Sequence, residues 1–290
     1  FARFLARFPD VETLAAAPLD EVLALWAGLG YYARARNLHR AAQVIVEQHA
    51  GYFPATPEAL STLPGIGRST AAAIAVFAFG AKAAILDGNV KRVLCRHFCI
   101  EESPSVAREN RLWTLAESLL PDDPDDLPAY TQGLMDLGAT RCVRSKPHCA
   151  ACPLSATCLG HRRGIAGQLP AKTPKKAKPK REATFWLITD GQHILLTRRP
   201  PSGIWGGLHT FPAGEEPPVP LAAPPEIWPD VKHVFTHFEL TIHPRLCRLP
   251  ALPPIEGLTP ISLPEALTLG LPAPVARLLR ALTGHLSGIA

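Results

Sequence analysis

Residues 63–70 read Leu63-Pro64-Gly65-Ile66-Gly67-Arg68-Ser69-Thr70. Proline cannot continue a helix, and a Pro-Gly-x-Gly run supplies the positive φ of a tight reversal. An alanine-rich run at helical spacing follows over residues 69–79. The stretch predicts two helices joined by a tight turn. Backbone N–H groups are exposed at the turn, beside the positive end of the second helix, with Ser69 or Thr70 as its cap. Such a turn is a phosphate-sized anion site that grips without reading sequence. It is equally a plain helix connection, and the motif alone leaves both open.

Helical spacing recurs on either side, over residues 20–26, 32–48, 89–98, 107–119 and 130–138, with Pro and Gly between the runs. Residues 1–164 are therefore expected to be all-helical. The chain opens FARFLARFPD, without methionine and inside an amphipathic helical pattern, so its first helices are expected to be missing. No run approaches the roughly 18 apolar residues of a membrane span. The 290 residues suit two domains, and at 47% hydrophobic each half can bury a core.

Four of the seven cysteines form one cluster, Cys142-x6-Cys149-x2-Cys152-x5-Cys158. Four thiolates at this density point to a reducing compartment and a metal centre rather than disulfides. One close pair, where structural zinc usually shows two, favours an iron–sulfur cluster over zinc, and both remain open on spacing. Cys95, Cys99 and Cys247 are expected to be ordinary buried thiols.

The segment Ile85-Leu86-Asp87-Gly88-Asn89-Val90-Lys91-Arg92 places Asp87 just before a helical run, where it reads as an N-cap. It also lies one helix beyond the turn. A carboxylate there could face the groove above the turn and stabilise an oxocarbenium-like sugar.

Residues 165–182 hold Lys172, Lys175, Lys176, Lys178, Lys180 and Arg181 against Glu182 alone, which accounts for the whole net charge of +5. The rest is formally neutral, so bulk charge does not announce a nucleic-acid binder. This Pro/Lys segment is expected to be an extended, solvated linker. Beyond it, residues 184–189 and 193–198 are β-type runs split by Asp190-Gly191, a hairpin signal, and 231–235 and 239–246 are further strands. Residues 274–282 return to helical spacing. Residues 183–287 are thus expected to form a small α+β domain.

The Pro/Gly turn, the Asp87 segment and the four-cysteine loop together resemble the helix-hairpin-helix DNA glycosylases, over all of residues 1–164. In the endonuclease III branch of that superfamily a lysine just after the hairpin attacks the sugar. Here that position is Ser69, which cannot form an imine. Gly28-Leu29-Gly30-Tyr31-Tyr32-Ala33-Arg34-Ala35-Arg36-Asn37-Leu38 and the Asp87 segment look instead like the MutY type, the adenine DNA glycosylases. That resemblance implies a [4Fe–4S] cluster on Cys142, Cys149, Cys152 and Cys158. It implies Asp87 as the catalytic carboxylate oriented by Asn89. It implies DNA contacts from Leu63, Gly65, Gly67, Ser69 and Lys91, with Tyr31 wedged into the duplex; from the residues alone Tyr31 reads as a core aromatic, and Arg34 and Arg36 as phosphate contacts or a solvated face. It further implies a cytoplasmic monomer whose partner is duplex DNA carrying an A:8-oxoguanine or A:G mispair, with no membrane partner. In that family an upstream glutamate protonates the adenine. It is expected to precede Phe1, leaving this chain impaired. The two rivals are a bifunctional lyase and a non-enzymatic iron–sulfur DNA-binding protein.

Residues 183–287 resemble the Nudix fold, with Arg199-Pro200-Pro201-Ser202-Gly203-Ile204-Trp205-Gly206-Gly207-Leu208 as its substrate-side loop. A Nudix hydrolase needs a glutamate-rich helix for metal, but Gly214-Glu215-Glu216-Pro217-Pro218 follows here. The resemblance therefore implies recognition without hydrolysis. Phe235, Thr236 and His237 occupy the 8-oxoguanine-reading loop, with Thr in place of the family's Ser.

Overall fold

A computed structural model describes residues 1–171, 177–221 and 223–287. It divides into two compact units: Phe1–Gly51 together with Lys176–Ala290, and Tyr52–Lys175. In chain order the helices are α1 (Ala2–Arg7), α2 (Val11–Ala16), α3 (Leu19–Leu25), α4 (Ala33–His49), α5 (Pro57–Leu60), α6 (Arg68–Phe79), α7 (Gly88–His97), α8 (Val106–Ser118), α9 (Leu127–Asp136) and α10 (Leu159–Arg162). The strands are β1 (Lys180–Thr189), β2 (His193–Arg198), β3 (His209–Thr210), β4 (Glu226–Ile227), β5 (Val231–Val234), β6 (Glu239–Arg248) and β7 (Thr259–Ser262), followed by α11 (Leu263–Ala266) and α12 (Ala273–Ser287). Among the described residues no helix is long and apolar enough to cross a membrane.

The unit Tyr52–Lys175 is helical. Its core gathers Ala72, Ile85, Leu86, Val90, Leu94, Leu112 and Ala116 from α6, the segment before α7, α7 itself and α8. Helices α5, α7 and α8 begin on polar caps: Thr56 accepts from Ala59 N–H, Asp87 from Asn89 and Val90, Ser105 from Arg108. Gly160, at the start of α10, lies against α7 so closely that a Cβ there would stand 2.5 Å from the Arg96 carbonyl oxygen.

In the other unit α1–α4 share one core with the C-terminal half, where Phe8, Leu14, Val22, Leu23, Ala35 and Ala42 pack with Leu208. The sheet is mixed. β1 runs parallel to β6 from Lys180↔Glu239 to Thr189↔Arg248, while β2, β3, β4, β5 and β7 pair antiparallel. One face packs on α12 through Leu187, Leu196, Ile242, Leu278 and Leu282. The other buries Trp186, Ile188, Leu195 and Cys247. Burial on both faces explains why β1 reads as a continuous apolar run rather than an alternating one.

Several expectations change here. Ala166 and Leu169 are buried, and Lys180–Glu182 belong to β1, so the segment expected to be a solvated linker is packed or paired at both ends. Lys172, Lys175 and Lys176 lie outside the described residues. Cys95 and Cys247 are buried as expected, but Cys99 is only half-buried, next to Glu101 and Arg163. Strands β3 and β4, of two residues each, are too short for an alternation to show, and β7 carries Pro260, which hides it as a strand. No helix runs between β3 and β4 among the described residues.

Gly160→Ala is expected to cost about 1–3 kcal/mol through backbone overpacking. A lowered denaturation midpoint in urea checks this, and an unchanged midpoint contradicts it.

Candidate functional site

The hairpin turn runs from the end of α5 to Gly67. Leu63 is buried, so only its backbone is available at the turn. Gly65 has φ +77, a left-handed conformation that favours glycine, and is exposed. Gly67 is also exposed but lies in extended space (φ −87, ψ 169), open to any residue, and its Cβ position meets nothing. The reversal therefore needs Gly65 alone. Gly67 is the N-cap of α6, with no side-chain cap bond. The N–H groups of the first helical turn have no partner within the helix.

Ser69 does not cap that helix. Its Oγ accepts the Leu86 N–H at 3.0 Å, which ties the hairpin helix to the segment before Asp87. Asp87 caps α7, with Oδ1 taking the N–H groups of Asn89 (2.9 Å) and Val90 (2.8 Å). Asp87 is half-buried, and its Oδ2 takes no hydrogen bond among the described residues. Asn89 thus orients Asp87 through its backbone, while its side-chain Oδ1 accepts from Arg92 at 2.9 Å. Gly138 packs on Asn89, where a Cβ would stand 2.6 Å from the Asn89 Cβ. Lys91 is engaged too: its Nζ lies 2.5 Å from Glu109 Oε1. Arg68 bridges to Glu117 at 2.6 Å and stacks over Trp113.

Four residues apart on α7, Arg92 and Arg96 hold the cysteine loop. After α9 the chain makes a π-helical turn, Leu137–Arg141, that delivers Cys142. Arg92 donates to the carbonyls of Gly138 and Cys142, both at 2.6 Å. Arg96 is 2% exposed and donates to the carbonyls of Leu169, Cys142, Val143 and Arg144 and to Cys142 Sγ at 3.3 Å. Cys158 Sγ lies 3.5 Å from the Arg96 carbonyl oxygen. Cys142, Cys149, Cys152 and Cys158 line one small pocket. Burial pushes the Cys149 thiol up, and the neighbouring Cys158 and Cys142 add to the shift. Among the described residues no group of three or more side chains is drawn together as for a single metal ion. Four crowded, half-buried thiols beside a guanidinium suit a polynuclear centre that takes them as thiolates.

The remaining candidates lie in the unit Phe1–Gly51 with Lys176–Ala290, and they meet. A cleft of about 550 Å³ is lined by Tyr31, Arg36, Trp205, His233, Phe235, Thr236 and His237, among others. Tyr31 sits at φ +47 directly after Gly30, which like Gly28 is at positive φ, and is 71% exposed, so it is not the core aromatic that the residues alone suggest. The turn is held by Trp26 Nε1 donating to Gly30 O, by Tyr32 Oη donating to Leu271 O, and by Arg36 donating to Gly206 O. Arg36 is half-buried with one N–H of its guanidinium committed to Gly206, and Arg34 stacks on Trp26. Phe235–Phe238 forms the tip between β5 and β6, with the two phenyl rings stacked at 4.3 Å and Thr236 Oγ1 3.3 Å from His237 Nδ1. Trp205 (φ +56) comes from the loop that the sequence marks as Nudix-like, whereas His233 was missed, because no motif contains it.

Residues 1–118 match the family model described as HhH-GPD superfamily base excision DNA repair protein, and residues 183–281 match the NUDIX domain. The chain is 35% identical over 298 residues to an adenine DNA glycosylase of Buchnera aphidicola from Acyrthosiphon pisum, covering 96% of this chain and 83% of that protein. It is 39% identical to the one from Baizongia pistaciae (73% of this chain, 60% of that protein) and 35% identical to the human one (73% and 47%). The chain thus spans about half to four-fifths of these relatives.

Arg96→Met is expected to cost about 3–5 kcal/mol, since it strands several buried carbonyls. Arg96→Lys should recover only part of this, because an ammonium lacks the guanidinium fork. Gly65→Ala should cost about 1–2 kcal/mol and Gly67→Ala much less. Chemical denaturation measures all four, and equal costs at Gly65 and Gly67 would contradict the assigned turn.

Proposed function

The chain belongs to the adenine DNA glycosylase family, and on that premise we propose that it hydrolyses the N-glycosidic bond of adenine mispaired with 8-oxoguanine or guanine in duplex DNA. The observation that carries this reading is Asp87. One carboxylate oxygen is pinned by two backbone N–H groups, the other takes no hydrogen bond among the described residues, and Ser69 ties the preceding residue to the hairpin helix. A carboxylate fixed in this way offers negative charge at one place without reorganising, which is what a sugar turning cation-like requires. The hairpin's N–H groups would hold the phosphate backbone, with Gly65 setting the turn. Tyr31 would stack into the duplex, and the cleft it shares with Phe235, Thr236 and His237 would read the base opposite the adenine.

Lyase chemistry is disfavoured. Position 69 offers a hydroxyl already bonded to Leu86, and Lys91 is paired with Glu109. Cys142, Cys149, Cys152 and Cys158 would hold a [4Fe–4S] cluster, which would pin the loop. The C-terminal domain recognises rather than hydrolyses, because prolines stand where a metal-binding glutamate helix would run. The protein works as a monomer on DNA, without a membrane partner.

Asparagine caps a helix as well as aspartate does, so Asp87→Asn removes the charge and keeps the fold. In single-turnover assays on an A:8-oxoguanine duplex, Asp87→Asn should slow adenine release by about 10²–10³ while mispair binding persists. Equal rates would overturn the assignment. Anaerobically purified protein should be brown with about four irons per chain, whereas stoichiometric zinc would refute the cluster.

A further inference from the structure

On β5, Val231 and His233 alternate toward the core face, and Phe235 continues that face into the hairpin tip. Val231 is buried in the core and Phe235 stacks on Phe238. His233 is the polar exception. Its ring stands edge-on to Phe235 at 4.6 Å and 5.7 Å from Trp205, and it lines the cleft with Tyr31. Among the described residues its two ring nitrogens have no hydrogen-bond partner. The adjacent tip differs, because Thr236 Oγ1 and His237 Nδ1 already face each other at 3.3 Å. A half-buried imidazole with an open valence toward a cleft is placed for a ligand group or a water. Burial holds its pKa below the ordinary histidine range, and Arg277 adds to this, which favours the neutral ring with one N–H donor.

We propose that His233 is a specificity-determining residue whose ring N–H donates to O8 of the oxidised guanine. This rests on the function proposed above. Guanine carries only C–H at position 8, so with guanine in the cleft the donor would stay unpaired and partly desolvated. A site built to bond a polar group rejects the analogue that lacks it. The rings of Trp205 and Phe235 fix the imidazole plane and shield it from water. Thr236 and His237 complete the wall without supplying this donor.

Equilibrium binding of the full chain tests the role on duplexes pairing a non-cleavable 2′-fluoro adenosine with 8-oxoguanine, 8-bromoguanine or guanine. Bromine fills the space of O8 but is a poor acceptor. His233→Phe, which keeps a ring between Trp205 and Phe235, should lose about tenfold of the preference for 8-oxoguanine over 8-bromoguanine. Its affinity for the guanine and 8-bromoguanine duplexes should be unchanged. His233→Gln, which keeps an N–H donor, should regain most of the preference. An unaltered ratio in His233→Phe overturns the proposal, as does an equal loss on all three duplexes, which would mark a structural role. If the unaltered chain shows no preference for 8-oxoguanine over guanine, the reading of the cleft as the site for the oxidised base falls and the role of His233 with it, whereas a chain that binds none of the duplexes overturns the proposed function itself.

Discussion

A guanidinium buried inside the helical unit organises what surrounds it. Arg96 is almost wholly removed from water, and a lone charge there would be unaffordable without hydrogen bonds. It is satisfied by four carbonyls and a sulfur from a stretch of chain with little regular structure of its own. That stretch cannot satisfy its own carbonyls, so α7 does it from outside, with Arg92 repeating the arrangement one turn earlier. The same helix begins on Asp87. Its acidic end and its basic end each complement the helix dipole. Ten residues of α-helix, roughly 15 Å, therefore join the candidate catalytic carboxylate to the cysteine loop as one rod, and disorder in the loop would reach Asp87 through it.

In the other unit the first 51 residues take their core from the far end of the sequence. Leu208 packs among the residues of α1–α4, and hydrogen bonds from Tyr32 and Arg36 to Leu271 and Gly206 fasten the turn that carries Tyr31. A residue with a Cβ rarely rests at φ +47 without such constraints. The strain and the exposure of Tyr31 are held in place by a domain that begins more than a hundred residues later.

Much of this was legible in the residues. Helical spacing located α3, α4 and α6–α9 closely, because each pairs an apolar face with Pro, Gly or a polar cap at its ends. The strands β1, β2, β5 and β6 showed as apolar or alternating runs. The four cysteines showed by spacing. The parts that escaped depend on distant partners. Ser69 looked like a cap because it stands in a helix's first turn, and only tertiary structure puts the Leu86 N–H within its reach. Arg92 and Arg96 looked like ordinary helix cations. His233 had no neighbour in sequence to mark it, since what surrounds its ring comes from a loop near residue 205 and the tip at 235. Gly65 and Gly67 looked equivalent, and only backbone torsion separates them.

The bond from Leu86 N–H to Ser69 Oγ has a metrical consequence. If the hairpin grips a phosphate and Asp87 lies one residue beyond that bond, the spacing between grip and carboxylate is a fixed gauge. Nucleotides along a strand are evenly spaced, so a fixed gauge selects by position: the sugar presented to Asp87 is always the same number of steps from the phosphate that is held. Each engagement of the hairpin would then index one nucleotide and no other.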